Sequence, residues 1–267
     1  MARFDYRDKD APPAAPPQGA QNRLRAMIQQ QPQIPYLLPF LLYLLVMLPS
    51  MFKNLAGIDW EKLWTDWNPL LYTLKTALAA IALWFFWPWY ARIRWTKLHW
   101  GVLAGLFGTL LWIGTELLCQ KLHIASQDTS SAYNPDSALP IAWQKTLFLC
   151  IRIAGPTLVV PLMEELFFRD FLMRTLIAGA SFEDVPVGAF SWVSLLGMCA
   201  FFGINHGLNF FFPGFFYGLL MGILLIRTKS LGACIVAHGT TNLTLYLFVT
   251  YMGDATSHGG INWWQFM

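Results

Sequence analysis

Charge is what this chain has least of. Asp, Glu, Lys and Arg make up 12% of its 267 residues, where a soluble domain carries about 25%. Cysteine is also sparse. Cys119, Cys150, Cys199 and Cys234 lie far apart with no C-x-x-C pair, which argues against a disulfide framework and leaves them as small packing residues. The net charge of +3 is scattered, without a basic amphipathic run or zinc-finger spacing, so no nucleic-acid partner is predicted. The first 33 residues lack the early apolar core of a secretory signal. The period-two alternation of a membrane barrel is absent as well.

Hydrophobic residues fill this space, at 56% with 13 Trp and 21 Phe. Apolar segments long enough to span a bilayer run from about Tyr36, Pro69, Trp100, Thr146, Val187, Leu208 and Leu231. The stretch Glu165 to Ile177 either continues the fourth segment past Pro161 or forms a broken helix of its own. Backbone in lipid must satisfy its own hydrogen bonds, which helices do. The expected fold is therefore all-α: a polytopic transmembrane bundle of 7–8 helices. Residues 1–34, rich in Ala, Pro, Gln and mixed charge, are expected to be a disordered tail, and residues 35–267 the membrane domain. Basic residues in the tail, and Arg92, Arg94 and Lys97 after the second segment, predict a cytoplasmic N-terminus.

Few ionisable groups interrupt the apolar segments: Lys75, Glu116, Arg152, Glu164, Glu165, Arg169, His206 and His238. Two of them are adjacent carboxylates, in Val159-Val160-Pro161-Leu162-Met163-Glu164-Glu165-Leu166-Phe167-Phe168-Arg169. A charge at the bilayer centre costs about 2.5–3.5 kcal/mol on insertion scales, and marks a functional site by default. Glu165 and Arg169 are four apart on one helical face, which offers a buried ion pair. Glu164 points about a hundred degrees away and is left for other work. Further on come Phe202-x-x-x-His206 and His238-x-x-x-Asn242. Each can be a structural histidine or interhelical hydrogen bonding when taken alone. Glu116 near the end of the third segment reads most simply as snorkelling to the interface. The aromatic run from Phe210 to Tyr217 reads as lipid-facing or packing surface.

Taken in order, E-E-x-x-x-R, F-x-x-x-H and H-x-x-x-N resemble the signature of the CAAX-protease and bacteriocin-processing family of intramembrane endopeptidases. The likeness covers about 147–248 and places a catalytic core at about 146–250. The stretch from Glu164 to Arg174 also looks like the branch associated with bacterial exosortase systems, which implies a functional link to such a system and an inner-membrane location. Asp170 stands where many members have Gly. The resemblance implies that Glu164 is the general base on a water and that His206 holds that water. It implies that His238 and Asn242 stabilise the oxyanion, while Glu165 and Arg169 orient and balance charge. The implied reaction is hydrolysis of a peptide bond in a membrane-anchored peptide or protein, without a cofactor.

Three rivals stay open at this level. Glu164, His206 and His238 offer three ligands of the types that zinc accepts, although H-E-x-x-H is absent. Polar groups in a helical bundle also build transporters, and the motif can serve a non-catalytic scaffold. Covalent catalysis has little behind it: no G-x-S-x-G motif exists, although Cys234 lies four residues before His238 on one helical face. The protease reading makes one geometric demand, that Glu164, His206 and His238 meet in one cavity.

Overall fold

The computed structural model describes residues 20–48, 54–55, 58–59, 62–63, 66–90, 93–124, 133 and 135–252. Residues 1–19, much of the long polar loop after the third apolar segment, Arg92 and everything after Met252 lie outside those ranges. The chain divides into two compact units, 1–34 and 35–267. In the first, α1 spans Ala20–Gln30, so part of the stretch predicted to be disordered is helical. Ala, Gln and Arg there are good helix formers, and helix propensity outweighs the low hydrophobicity that suggested disorder.

Among its described residues the regular structure of the second unit is helical apart from a two-stranded antiparallel ribbon, β1 (Asn54–Leu55) with β2 (Ile58–Asp59). Its helices are α2 (Ile34–Met47), α3 (Asn68–Phe85), α4 (Leu98–Lys121) and the single turn α5 (Pro135–Ala138). There follow a continuous helical run α6 (Ala142–Asp184), then α7 (Trp192–Asn205), α8 (Leu208–Thr228) and α9 (Leu231–Met252). Seven of these are the apolar segments expected from the sequence. By length and composition α4, α6, α8 and α9 can cross a membrane, and α2 and α7 are shorter apolar helices. The glutamate stretch continues the fourth segment rather than forming an eighth helix. The protein is an all-α integral membrane bundle.

Burial is organised from the inside outward. On α4, Gly101, Gly105 and Gly108 are buried while Leu106, Phe107 and Leu110 are exposed, the reverse of a soluble helix and suited to lipid. The glycines face α9. A Cβ on Gly101 would sit 2.5 Å from the Ala233 carbonyl oxygen, and one on Gly105 2.5 Å from that of Ala237. Small residues at this four-residue spacing let two membrane helices approach backbone to backbone. Hydrogen bonds cross the seam: Thr241 Oγ1 donates to the Gly105 carbonyl at 2.8 Å, and Tyr217 Oη on α8 donates to Thr241 Oγ1 at 3.0 Å.

The start of α9 is fixed with equal care. Buried Ser230 accepts from the Ala233 amide at 3.1 Å, capping the first turn. Its hydroxyl also lies 2.8 Å and 2.7 Å from the Arg94 and Thr96 carbonyls, and the Gly232 amide donates to Arg94 at 3.0 Å. The segment 93–97 thus holds α9 in height and rotation, which decides where His238 points.

Replacing Gly105 by Leu should push α4 off α9 and lower stability by about 1–3 kcal/mol, as overpacking does. Gly114→Ala on the same helix, where a Cβ meets nothing within 4 Å, should leave it unchanged or raised. Thermal unfolding of the two variants in detergent measures this, and equal melting temperatures would contradict the close-packed seam.

Candidate active site

The long helix α6 is not regular. It changes from α to π geometry at Gly155–Val159, returns to α at Val160–Glu164, and is π again at Glu165–Leu172. Such widened turns are frequent at functional sites. Two prolines explain what they expose. The Gly155 amide donates to Ile151, so in the same register the Arg152 carbonyl awaits the amide of residue 156, which is proline. Tyr72 Oη on α3 donates to that carbonyl at 3.4 Å. The Val160 amide reaches back five residues to Gly155, so the Pro156 carbonyl awaits residue 161, again proline. Asn242 Nδ2 on α9 donates to it at 2.7 Å. Opposite, Gly239 gives the Thr157 carbonyl room, since a Cβ there would lie 2.7 Å from it. Each orphaned carbonyl therefore draws a side chain from a neighbouring helix into place, as buried backbone requires.

Glu164 and Glu165 follow directly and are both buried. They do not turn to unrelated partners, as an ideal α-helix predicted, but bracket one imidazole. Glu165 Oε1 is 2.8 Å from His238 Nδ1, and Glu164 Oε2 is 3.9 Å from His238 Nε2. Because an ionised carboxylate only accepts, His238 Nδ1 carries the proton in this pair, which turns Nε2 toward Glu164 and the cavity. Glu165 also meets Arg169, with Nη1 to Oε1 at 3.2 Å and both side chains fully buried. The Arg169 guanidinium lies 4.4 Å from the centroid of the Phe202 ring, a cation–π contact in a desolvated setting. The expected Glu165–Arg169 pair is thus present, and it also orients His238.

His206 sits at the C-terminal end of α7, where Gly207 at φ 83° turns the chain away. Its Nδ1 is 2.8 Å from the Phe202 carbonyl; as donor to that oxygen it leaves Nε2 as the lone-pair nitrogen. Trp112 packs edge-on against the ring at 5.1 Å. Glu164, His206, His238 and Asn242 all line one cavity of about 340 Å³. The geometric demand made by the sequence is met for these four. Asn242 and His238 do not converge through all their donors, because one is partly committed to Pro156 and the other to Glu165.

Residues 146–244 match the family described as Type II CAAX prenyl endopeptidase Rce1-like. This segment is similar to the CAAX-protease family. It runs from α6 into α9 and contains every motif residue named above, and the family is one of membrane proteases. No match to the chain was found among curated proteins or among solved structures.

Other residues fall differently from the sequence reading. Asp170, in place of the Gly of many CAAX-protease relatives, is turned to Arg174, with which it forms an ion pair. Arg174 in turn donates to the Val185 carbonyl at 2.7 Å and the Glu183 carbonyl at 3.1 Å. Asp170 thereby pins the turn that ends α6 and does not line the cavity. Glu116 is 1% exposed and accepts from Gln120 Nε2 at 2.8 Å, which rules out simple snorkelling: its carboxylate is held inside the bundle by its own helix. Among the described residues no three His, Cys, Asp or Glu side chains are gathered so as to hold a metal ion. The sequence reading missed the contribution of the first half. Tyr43 on α2, Tyr72 and Lys75 on α3, and Trp112 on α4 line the same cavity. Only Lys75 carried a signal, as an ionisable residue inside an apolar helix.

Asn242→Ala would leave the Pro156 carbonyl without its donor. An unsatisfied buried group costs about 1–3 kcal/mol, so the variant should unfold at lower temperature. Asn242→Asp, which offers no amide hydrogen when ionised, should share the loss, whereas Asn242→Gln should recover part of it. Full stability in the Ala variant would overturn the account of the α6 prolines.

Proposed function

We propose that the chain is an intramembrane endopeptidase that cuts a peptide bond of a membrane-anchored peptide or protein with a glutamate-activated water. The observation that carries this reading is the pair of carboxylates on either side of His238, at the wall of a cavity that His206 and Asn242 also line. A water there donates one hydrogen to Glu164 and the other to His206 Nε2. Its oxygen attacks the scissile carbonyl carbon while its proton passes to Glu164. The carbonyl π pair moves onto oxygen, and the oxyanion is met by His238 and by an amide hydrogen of Asn242. Collapse breaks the C–N bond, and the proton held by Glu164 goes to the departing amine. The products are a carboxylic acid and an amine.

Each part has a physical reason. General base catalysis contributes about 10²–10⁴-fold. An oxyanion donor in a water-excluded site is worth about 2.7–4 kcal/mol. Asn242, anchored through one amide hydrogen to Pro156, keeps its second in a fixed direction, so little reorganisation is needed as charge develops. Glu165 holds the imidazole through Nδ1, and Arg169 balances the charge of Glu165. The donor arrangement supports hydrolysis without a metal. The basic residues of the tail and of the segment after α3 support an N-terminus on the cytoplasmic side, in a bacterial inner membrane.

Glu164→Gln should fold normally and lose at least about 100-fold of its cleavage rate. The measurement is comparative membrane proteomics of cells carrying the wild-type or the Gln variant, followed by cleavage of the accumulating precursor by purified protein. Processing at the wild-type level by a folded Glu164→Gln protein would sink the mechanism. Cleavage by the wild-type protein should also persist after prolonged treatment with a strong chelator; its loss, with recovery on adding zinc, would replace the water-activating glutamate with a metal.

A further inference from the structure

Three chain turns meet at one end of the bundle. The Ser230 hydroxyl, between α8 and α9, bonds to the Arg94 and Thr96 carbonyls before α4. Lys229 Nζ donates to the Gly188 carbonyl between α6 and α7. This end is rich in cations. Its two short connections carry Arg92, Arg94, Lys97, Arg227 and Lys229, and Arg23 and Arg25 shortly precede α2. The longer connections at the opposite helix ends hold Lys53, Lys62, Lys121 and Lys145. The cation-rich end is also sealed by rings. Tyr36 packs against Tyr90, Phe171 and Phe182, with centroids 5.9, 5.9 and 5.7 Å away. Tyr90 Oη donates to the Pro35 carbonyl, and Phe40 stacks on Phe167 at 4.2 Å.

The cavity reaches the other end. Its lining takes in Met47, the last residue of α2, and Tyr72 in the second turn of α3. It also takes in His206 and Phe210, on either side of the turn from α7 to α8. Among the described residues, none from the connections of the cation-rich end lines it. The α7–α8 turn is recessed: His206 lies against Trp112, and α4 runs on from there to Lys121, about 13 Å at about 1.5 Å per residue. Gly207, Leu208 and Asn209 are exposed all the same, Leu208 at 86%. Irregular backbone at membrane depth is tolerated only where protein buries it or it faces a water-filled cavity. Protein does not bury this turn, so water must reach it, and water at the turn is water at His206.

Loops rich in Lys and Arg stay in the cytoplasm. Building on the orientation and the proteolytic reading given above, we infer that the site opens on the non-cytoplasmic side of the membrane. Its substrate is an exported peptide or protein, still anchored in the bilayer, whose cut bond lies on the outer side. A cytoplasmic segment would meet the aromatic seal before it met Glu164.

Thiol accessibility tests this whether or not Glu164 is the base. Phe210→Cys and Asn209→Cys mark the cavity mouth, and Thr96→Cys marks the cation-rich end. Each is made in full-length Cys150→Ser protein, because Cys150 is the exposed thiol of the natural chain. Spheroplasts and inverted membrane vesicles of the expressing bacterium are treated with trimethylammonium-ethyl methanethiosulfonate. Its fixed charge crosses lipid poorly, so Phe210→Cys and Asn209→Cys should react at least about tenfold faster in spheroplasts than in inverted vesicles, and Thr96→Cys the reverse. Reaction of the mouth positions from the face that labels Thr96→Cys overturns the inference. So does labelling of Thr96→Cys in spheroplasts, or protection of both mouth positions from both faces in folded protein. The precursor that accumulates with Glu164→Gln should in turn be digested by protease added outside spheroplasts. A precursor reached only in inverted vesicles overturns the substrate assignment, whereas outer-face labelling with no precursor at all would count against the proteolytic reading instead.

Discussion

One carboxylate holds this site together. Glu165, fully buried, faces the Arg169 guanidinium at 3.2 Å and His238 Nδ1 at 2.8 Å. Removing Arg169 alone would leave a buried carboxylate without its counter-charge, which typically costs about 3–5 kcal/mol. The arrangement therefore persists as a unit or not at all. Its consequence is directional: with Nδ1 committed to Glu165, the other nitrogen of His238 can face only Glu164 and the cavity. Arg169 in turn rests on Phe202, one turn before His206 on α7. Three helices are thus locked in mutual register.

The backbone of α6 makes the second constraint. Pro156 and Pro161 each remove an amide that the preceding carbonyls would use, and the widened turns do not replace them. Tyr72 and Asn242 answer instead, from α3 and α9. In lipid no water stands ready to repair such a gap, so the proline positions dictate where partner helices must present a donor. The close α4–α9 seam serves the same end. Gly101 and Gly105 bring the two backbones together, and the cap at Ser230 sets the height of α9. Asn242 then arrives at the Pro156 carbonyl and His238 at the glutamates.

Much of this was legible in the sequence because membrane depth makes polar residues conspicuous. The seven apolar segments, the carboxylate pair, both histidines and Asn242 all stand out against an apolar background, and their order carries the family likeness. What stayed hidden depended on departures from ideal helix geometry. On a regular α-helix Glu164 and Glu165 point a hundred degrees apart, and no residue pattern announces that π turns flank them. Nor does the sequence show that Asn242 spends one donor on the backbone. Tyr43 and Tyr72 were invisible for another reason: an aromatic residue in an apolar helix looks the same whether it faces lipid, core or a cavity. Asp170, which stood out only as a departure from the usual Gly, is a tie to Arg174.

The division of the cavity wall follows from the chemistry. Breaking a peptide bond asks for the same groups whatever the side chains around it: a base, a held water and donors to the oxyanion. On the proposed reading these come from α6, α7 and α9, within the segment similar to the CAAX-protease family. Choosing a bond asks for walls, and α2, α3 and α4 supply them without supplying a reacting atom. Lys75 lies on that side, its amine beside the rings of Tyr72 and Tyr43, so the first half of the chain shapes the cavity that Glu164 and the two histidines enter.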